Sequence, residues 1–236
     1  MAKKKLIRFE AIRTFPNVLQ YPEGMTGQWH VFFKNRNPIT LELGCGRGEY
    51  TFALAGRYPE KNFIGVDLKG NRIYAGAKKC LEDNIANAGF LRTQIAKITD
   101  YFAPMEVGEI WITFPDPQLR NSKAKKRLTH PRFLRLYQQI LSVGGLIHLK
   151  TDSPDLYKFT LMVIEMCGLT LHKASDNLYA HDLINDVLTI RTHYENLDIA
   201  KSSRIHYLCF SLPVEPLPEI DEILQQRIKT SETAIS

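Results

Sequence analysis

The chain has 236 residues, enough for one sizeable α/β domain and cramped for two. Hydrophobic residues make up 44% and charged residues 24%, and no apolar run approaches the ~20 residues that span a bilayer, so a disordered chain and a membrane-spanning one are both excluded. The formal net charge of +6 favours an anionic partner.

In chain order, residues 1–37 read as an irregular basic arm. Lys3, Lys4, Lys5, Arg8 and Arg13 supply the charge, and Pro16, Pro22 and Gly24 are breakers. Regular alternation then begins. Residues 38–43 predict a buried strand, 44–48 a glycine turn and 49–58 an amphipathic helix. Residues 62–67 predict a second strand. Helical periodicity over 71–88 puts Ile73, Ala77, Leu81 and Ile85 on one face, with Gly89 as the stop. A third strand is expected at 91–95 and a fourth at 109–114. Thr129 as N-cap and Pro131 just inside predict a helix to 141, ended by Gly144-Gly145. A fifth strand at 146–150 leads to Ser153-Pro154, which starts another helix. Further strands are expected at 169–173 and 205–212. From residue 218 a polar tail of helical character follows.

Strands alternating with helices predict a Rossmann-like, doubly wound, mostly parallel sheet of about seven strands. The expected division is a basic arm at 1–37, a catalytic domain at 38–217 and a tail at 218–236. Ligands bind outside the carboxyl ends of such strands. That rule lines up Gly44 to Gly48, Asp67, Gln94, Phe114 to Pro117 and Thr151-Asp152 along one rim.

The four cysteines are scattered and the seven histidines show no metal-ligand spacing. Reduced thiols, no metal site and a cytoplasmic location are expected. Met1-Ala2-Lys3-Lys4-Lys5 has no apolar segment behind it, so it does not read as a secretory signal. No membrane association is expected, and both monomer and homodimer remain open.

The glycine loop reads Glu42-Leu43-Gly44-Cys45-Gly46-Arg47-Gly48. A dinucleotide fingerprint wants a third glycine where this chain has Glu49. A carboxylate at a helix start repels a pyrophosphate. S-adenosylmethionine has no phosphate, and its sulfonium and ammonium suit a loop flanked by Glu42 and Glu49. Gly44 and Gly46 allow close backbone approach, and Asp67 can accept both ribose hydroxyls. A plain structural turn is the competing reading of the glycines alone.

Downstream, Ile112-Thr113-Phe114-Pro115-Asp116-Pro117 puts one carboxylate at a strand end. From Pro117 through Lys150 there are eight Lys or Arg and no Asp or Glu. Lys123, Lys125, Lys126 and Arg127 are candidate RNA phosphate contacts, against the plainer reading of a solvated run. Asp116 alone could equally be an Asp-Pro turn.

Four motifs in order resemble the bacterial tRNA (guanine-N7)-methyltransferases. They are the loop from Leu41 to Gly48; Phe114-Pro115-Asp116-Pro117 with Lys125-Lys126-Arg127; Lys150-Thr151-Asp152; and Thr192-His193-Tyr194-Glu195. The resemblance runs from about residue 38 to 210. It implies an S-adenosylmethionine-dependent enzyme acting on tRNA, with 7-methylguanosine in the variable loop as product. It implies cofactor contacts at Glu42, Asp67, Gln94 and Asp116, with Asp116 also as catalytic acid. It implies substrate contacts at Arg120, Asp152, Thr192, Tyr194 and Glu195. Many relatives have Asp-Pro-Trp, where this chain has Asp116-Pro117-Gln118, and often an acid or Asn in place of Gln94. Tyr194 is suited to stacking on a base or to packing. The rivals are a methyltransferase acting on an exocyclic amine and a non-catalytic RNA-binding protein of the same fold. Gln118-Leu119 lacks the aromatic that exocyclic-amine enzymes commonly place after such a loop.

Overall fold

The computed structural model describes residues 2–180, 186–192, 195 and 204–233. Eight strands form one sheet: β1 (Val18–Gln20), β2 (Ile39–Leu43), β3 (Asn62–Asp67), β4 (Ala88–Arg92), β5 (Val107–Thr113), β6 (Leu141–Thr151), β7 (Thr170–Ser175) and β8 (His206–Ser211). Their order is β1-β4-β3-β2-β5-β6-β8-β7. The first six are parallel, and β8 is antiparallel to both β6 and β7. The strand beyond the seven expected is β1. Among the described residues the α-helices are α1 (Ala2–Ala11), α2 (Trp29–Phe33), α3 (Glu49–Arg57), α4 (Gly70–Glu82), α5 (Pro131–Ile140), α6 (Pro154–Met166) and α7 (Asp221–Thr233).

Alternate residues of each central strand feed two separate cores, as the two-residue period of a strand requires. Ile64, Val66, Ile110, Ile112, Leu208 and Phe210 face the layer that holds Trp29, Leu134, Phe159 and Leu224. Phe63, Trp111, Tyr207 and Cys209 face the layer of Ile12, Tyr50, Leu54, Ile73 and Leu178. The sheet is thus covered on both sides, which is why its parallel strands read as unbroken apolar runs.

Several local expectations are corrected. The N-terminal arm is not irregular. Phe9 and Ile12 lie three apart, on the side of the α1 segment that meets α4. Ile12 is fully buried, and the Arg92 guanidinium sits 4.4 Å from the centre of the Phe9 ring. Trp29 of α2 is fully buried, stacks on Phe102 at 5.1 Å and donates from Nε1 to the Tyr101 carbonyl at 2.9 Å.

α4 ends at Glu82, not at Gly89. Asn84 takes a left-handed φ of 55°, its N–H bonds the Leu81 carbonyl, and the Ile85 N–H bonds the Cys80 carbonyl. That is a Schellman cap, with asparagine in the place glycine usually holds. Its buried face is Ile73, Gly76, Ala77 and Cys80, while Leu81 is exposed. The third strand starts three residues earlier than expected because Gly89 is one of its members.

The N-cap of α5 is His130, whose Nδ1 accepts from the Arg132 N–H; Thr129 instead bonds the Thr160 hydroxyl at 2.8 Å. Gly144-Gly145 lies inside β6, where the register against β5 shifts. Ser153 caps α6 as expected, accepting from the Leu156 N–H. The tail is helical, and Leu224 and Ile228 of α7 are buried against the main core.

Among the described residues no helix is long and apolar enough to cross a membrane, and no cluster of His, Cys, Asp and Glu could hold a metal ion. Cys45, Cys80, Cys167 and Cys209 are free and buried.

Candidate active site

A cavity of about 790 Å³ opens at the carboxyl ends of β2, β3, β5 and β6. Its wall includes Glu42, Gly44, Gly46, Asp67, Asp116 and Asp152, with Lys126 and Thr192 also on it. Residues far apart in sequence therefore meet where the strand-end rule puts a ligand.

Glu42, the penultimate residue of β2, is 4% exposed. Its Oε2 accepts from the Thr51 N–H at 2.8 Å and the Thr51 hydroxyl at 2.6 Å, and its Oε1 accepts from the Thr113 hydroxyl at 2.8 Å. These partners are neutral. Burial pushes the carboxyl up to about 7, against the downward pull of those hydrogen bonds. A buried acid held so close to neutrality is one that a bound cation would ionise.

Asp67 ends β3 and braces the glycine loop. Its Oδ2 accepts from the Gly46 N–H at 2.9 Å and its Oδ1 from the Lys69 N–H at 2.7 Å. Each oxygen keeps a further lone pair for a ligand hydroxyl. Gly48 does the work that a dinucleotide loop gives its third glycine. It has a φ of 71°, and a Cβ there would lie 2.5 Å from the Phe90 ring; a Cβ at Gly76 would lie 2.6 Å from the Arg47 carbonyl. Close helix packing is thus achieved one residue before Glu49, which remains on the cavity wall at the first turn of α3.

The opposite wall is a loop of unusual backbone. Phe114 has φ 46° and Gln118 φ 47°, both left-handed positions held by residues that are not glycine. Asp116 lies between them, exposed, its Oδ1 accepting from the Gln118 N–H at 3.0 Å. Thr113, directly before this loop, joins it to Glu42 across the sheet.

Other expected residues fall elsewhere. Gln94 is past the end of β4, exposed at the start of the 3₁₀ turn Ile95–Asp100 and outside the cavity wall, because the Thr93 N–H bonds the Asp67 carbonyl and turns the chain there. Arg120 is exposed beside the wall residue Leu119, leading into the 3₁₀ turn Asn121–Lys126. Lys123, Lys125 and Lys126 are exposed on that turn.

Arg127 is a correction. It is 4% exposed and its Nε and Nη2 donate to the Pro117 and Gln118 carbonyls, so it does not share the solvent face of the turn with Lys123, Lys125 and Lys126. Glu195 is also inward-facing: its Oε2 lies 2.9 Å from the fully buried Lys150 Nζ, and the Tyr179 hydroxyl donates to its Oε1. Lys150 further donates to the Leu188 and Ile190 carbonyls at 3.0 and 2.9 Å. This ammonium ties the segment carrying Thr192 to the end of β6. Tyr194 lies outside the described residues.

The sequence reading missed Thr51, Thr113, Lys69 and Arg72. Thr113 abuts the Phe114 motif, and that position was a usable signal. Thr51 bonds Glu42 through the turn of α3, and nothing in its spacing announced it.

A Rossmann-like sheet with an acid-flanked glycine loop, an acid at the end of the next strand and Glu49 at the helix start where a dinucleotide loop has glycine defines a class I, S-adenosylmethionine-dependent methyltransferase. The solved structure of the 16S rRNA methyltransferase KamB shares the fold at TM-score 0.58 and 14% identity, covering 79% of this chain and 94% of that one. A family model described as "Putative methyltransferase" matches residues 36–208. The tRNA (guanine-N(7)-)-methyltransferase of Porphyromonas gingivalis is 50% identical over 213 residues, covering 85% of this chain and 86% of its own. That of Bacteroides fragilis is 46% identical over 224 residues, covering 91% and 88%. The chain belongs to the tRNA (guanine-N7)-methyltransferase family.

Proposed function

We infer that this protein transfers a methyl group from S-adenosylmethionine to N7 of a guanosine in tRNA, giving 7-methylguanosine. The observation that carries this reading is the single cavity that joins the buried acid Glu42 and the glycine loop to Asp116 on the facing wall. The variable loop as target and the cytoplasm as location belong to the same proposal. So does a catalytic unit at 38–217, with α1 and α7 packed on it and β1 of the arm joining its sheet.

S-adenosylmethionine, when bound, supplies an electrophilic methyl on a cationic sulfur. Glu42 faces that positive charge with a carboxylate that burial otherwise holds close to neutral. Asp67 offers its free lone pairs to the ribose hydroxyls, and Gly44 and Gly46 leave backbone room.

Guanine N7 carries a free lone pair and no proton. No general base is needed at N7; the base instead gains positive charge as its new N–CH₃ bond forms and the S–CH₃ pair leaves with sulfur. The residues' work is alignment and charge stabilisation. Asp116 is suited to accept from guanine N1–H and the exocyclic amine, which fixes base identity and opposes the developing charge. Asp152 and Thr192 line the same cavity, and Arg120, Lys123, Lys125 and Lys126 offer positive charge to the RNA backbone.

The test is transfer of labelled methyl to unmodified bulk tRNA, with the nucleoside identified by mass spectrometry. The expected product is 7-methylguanosine, and Asp116→Asn is expected to lower turnover about a hundredfold. Label on an exocyclic amine would replace this reading with that of an amine methyltransferase. Cofactor binding without transfer would favour the non-catalytic one.

A further inference from the structure

We propose that Arg127 is the positioning residue of this active site: a buried guanidinium that clamps the Asp116 loop from beneath and sets where its carboxylate meets the base. The proposal rests on the methyl-transfer reading above.

The loop itself cannot hold its shape by regular bonding. Pro115 and Pro117 remove two of its backbone donors, and Phe114 and Gln118 sit in left-handed backbone that costs L-residues energy. Such a conformation persists only where the surroundings over-determine it. The carbonyls of Pro117 and Gln118 point down, and Arg127 takes both. Its Nε lies 3.1 Å from the Pro117 oxygen and its Nη2 lies 3.2 Å from the Gln118 oxygen. One planar fork spanning two successive carbonyls fixes orientation as well as distance.

The clamp is itself anchored. The guanidinium carbon sits 4.4 Å from the centre of the Phe159 ring on α6. The Arg127 N–H bonds the Ala124 carbonyl, and its own carbonyl accepts from His130. Two residues on, Thr129 is tied to Thr160 of the same helix. Lys126 and Leu128 on either side line the cavity, while Arg127 turns inward beneath the loop. The helix that seats Arg127 is also the one whose N-cap follows Asp152. The two acids of the substrate wall thus share one support.

Arg127→Lys tests this. An ammonium keeps the charge but cannot span both carbonyls in a plane. The expected result is a kcat about 10- to 100-fold lower, with KM for tRNA and Kd for S-adenosylmethionine within about threefold of wild type. Amide hydrogen exchange should quicken at Phe114 and Gln118, the loop amides that are hydrogen-bonded, while the β2–β3 amides stay protected.

A wild-type kcat, or unchanged exchange in the loop, overturns the proposal. So does a loss confined to tRNA KM, which would make Arg127 a phosphate contact after all. If Arg127→Lys fails to fold, Phe159→Leu carries the test. It loosens the guanidinium's seat and should give the same split at smaller size, and an unchanged kcat there is equally fatal. Failure of the wild-type enzyme to methylate guanosine would sink the underlying reading instead, while the exchange result would still report on the clamp.

Discussion

The cavity wall assigned to the cofactor takes Glu42, Gly46 and Asp67 from two adjacent parallel strands and the turn after the first, and each polar group is held by backbone or hydroxyl partners. The wall assigned to the substrate gathers Asp116, Asp152 and Thr192 from three separate connections, after β5, β6 and β7, and it is held by buried cations. Arg127 holds the first of these loops, and Lys150 holds the segment that carries Thr192. Ends of paired strands need little help to stay in place. Loops need an internal partner, and a long cationic side chain reaches several carbonyls at once.

The sharpest way to break this contrast is to remove the second cation. Lys150 is fully buried, with burial pulling its pKa down and Glu195 pushing it back up. Lys150→Met should strand the Glu195 carboxylate and two carbonyls, at a cost of about 3–5 kcal/mol. Chemical denaturation measures the loss. Lys150→Met combined with Glu195→Leu should recover most of it, because a buried ion pair is replaced by apolar packing of similar volume. A single variant as stable as wild type would show that the strap is not needed.

On the cofactor wall the corresponding change should stabilise. Glu42 has a folded-state pKa near 7 against the ordinary 4.5. Between those values the unfolded chain has released the proton and the folded one keeps it, so stability falls as pH rises and the loss is complete above about 7. Its size is on the order of 3 kcal/mol. Glu42→Gln should remove this slope and be the more stable form at pH 8, while matching wild type more closely near pH 4. Binding runs the other way. A cationic ligand favours the ionised acid, so wild-type affinity for S-adenosylmethionine should tighten as pH rises through 7, and that of Glu42→Gln should stay flat. Calorimetric titration across pH 6 to 8 reads both. A wild-type profile without slope would mean that the cation does not face Glu42.

The same contrast explains what could be read in advance. Strand ends and a glycine turn are local patterns, so β2, β3 and the acids Glu42 and Asp67 were legible from spacing. Gly48 was visible as a glycine, but its packing role needed Phe90 and Gly76, which are distant in sequence. Arg127 and Lys123 look alike in a run of bases, yet one is buried under a loop and the other exposed. Burial of a cation depends on which carbonyls surround it, and no periodicity encodes that. The arm failed for a related reason: Pro16 and Pro22 are real breakers, but β1 lies between them and is held by pairing with β4. Gly89 reads as a helix stop and so displaces the expected third strand, whereas Asn84 already closes α4.

The smallest effect belongs to the cations that stay outside. Lys123 and Lys125 are exposed on the turn Asn121–Lys126, next to Arg120 and above the buried Ala124 that fastens the turn to the core. If they meet RNA phosphates, each contributes to affinity through counterion release and little to alignment. Lys123→Ala with Lys125→Ala should weaken tRNA binding several-fold and reduce the slope of log affinity against log salt by about 1 to 2. kcat and thermal stability should be unchanged. Fluorescence titration of tRNA at several salt concentrations measures the slope, and single-turnover methyl transfer at saturating tRNA measures kcat. A fall in kcat with an intact slope would place these lysines with Arg127 as structural supports. An intact slope with intact kcat would move the phosphate track elsewhere, to the basic helix α1 or to Lys69 and Arg72 at the start of α4. In the expected case, cations a few residues apart divide by burial: the inward one sets the rate, the outward ones set the affinity.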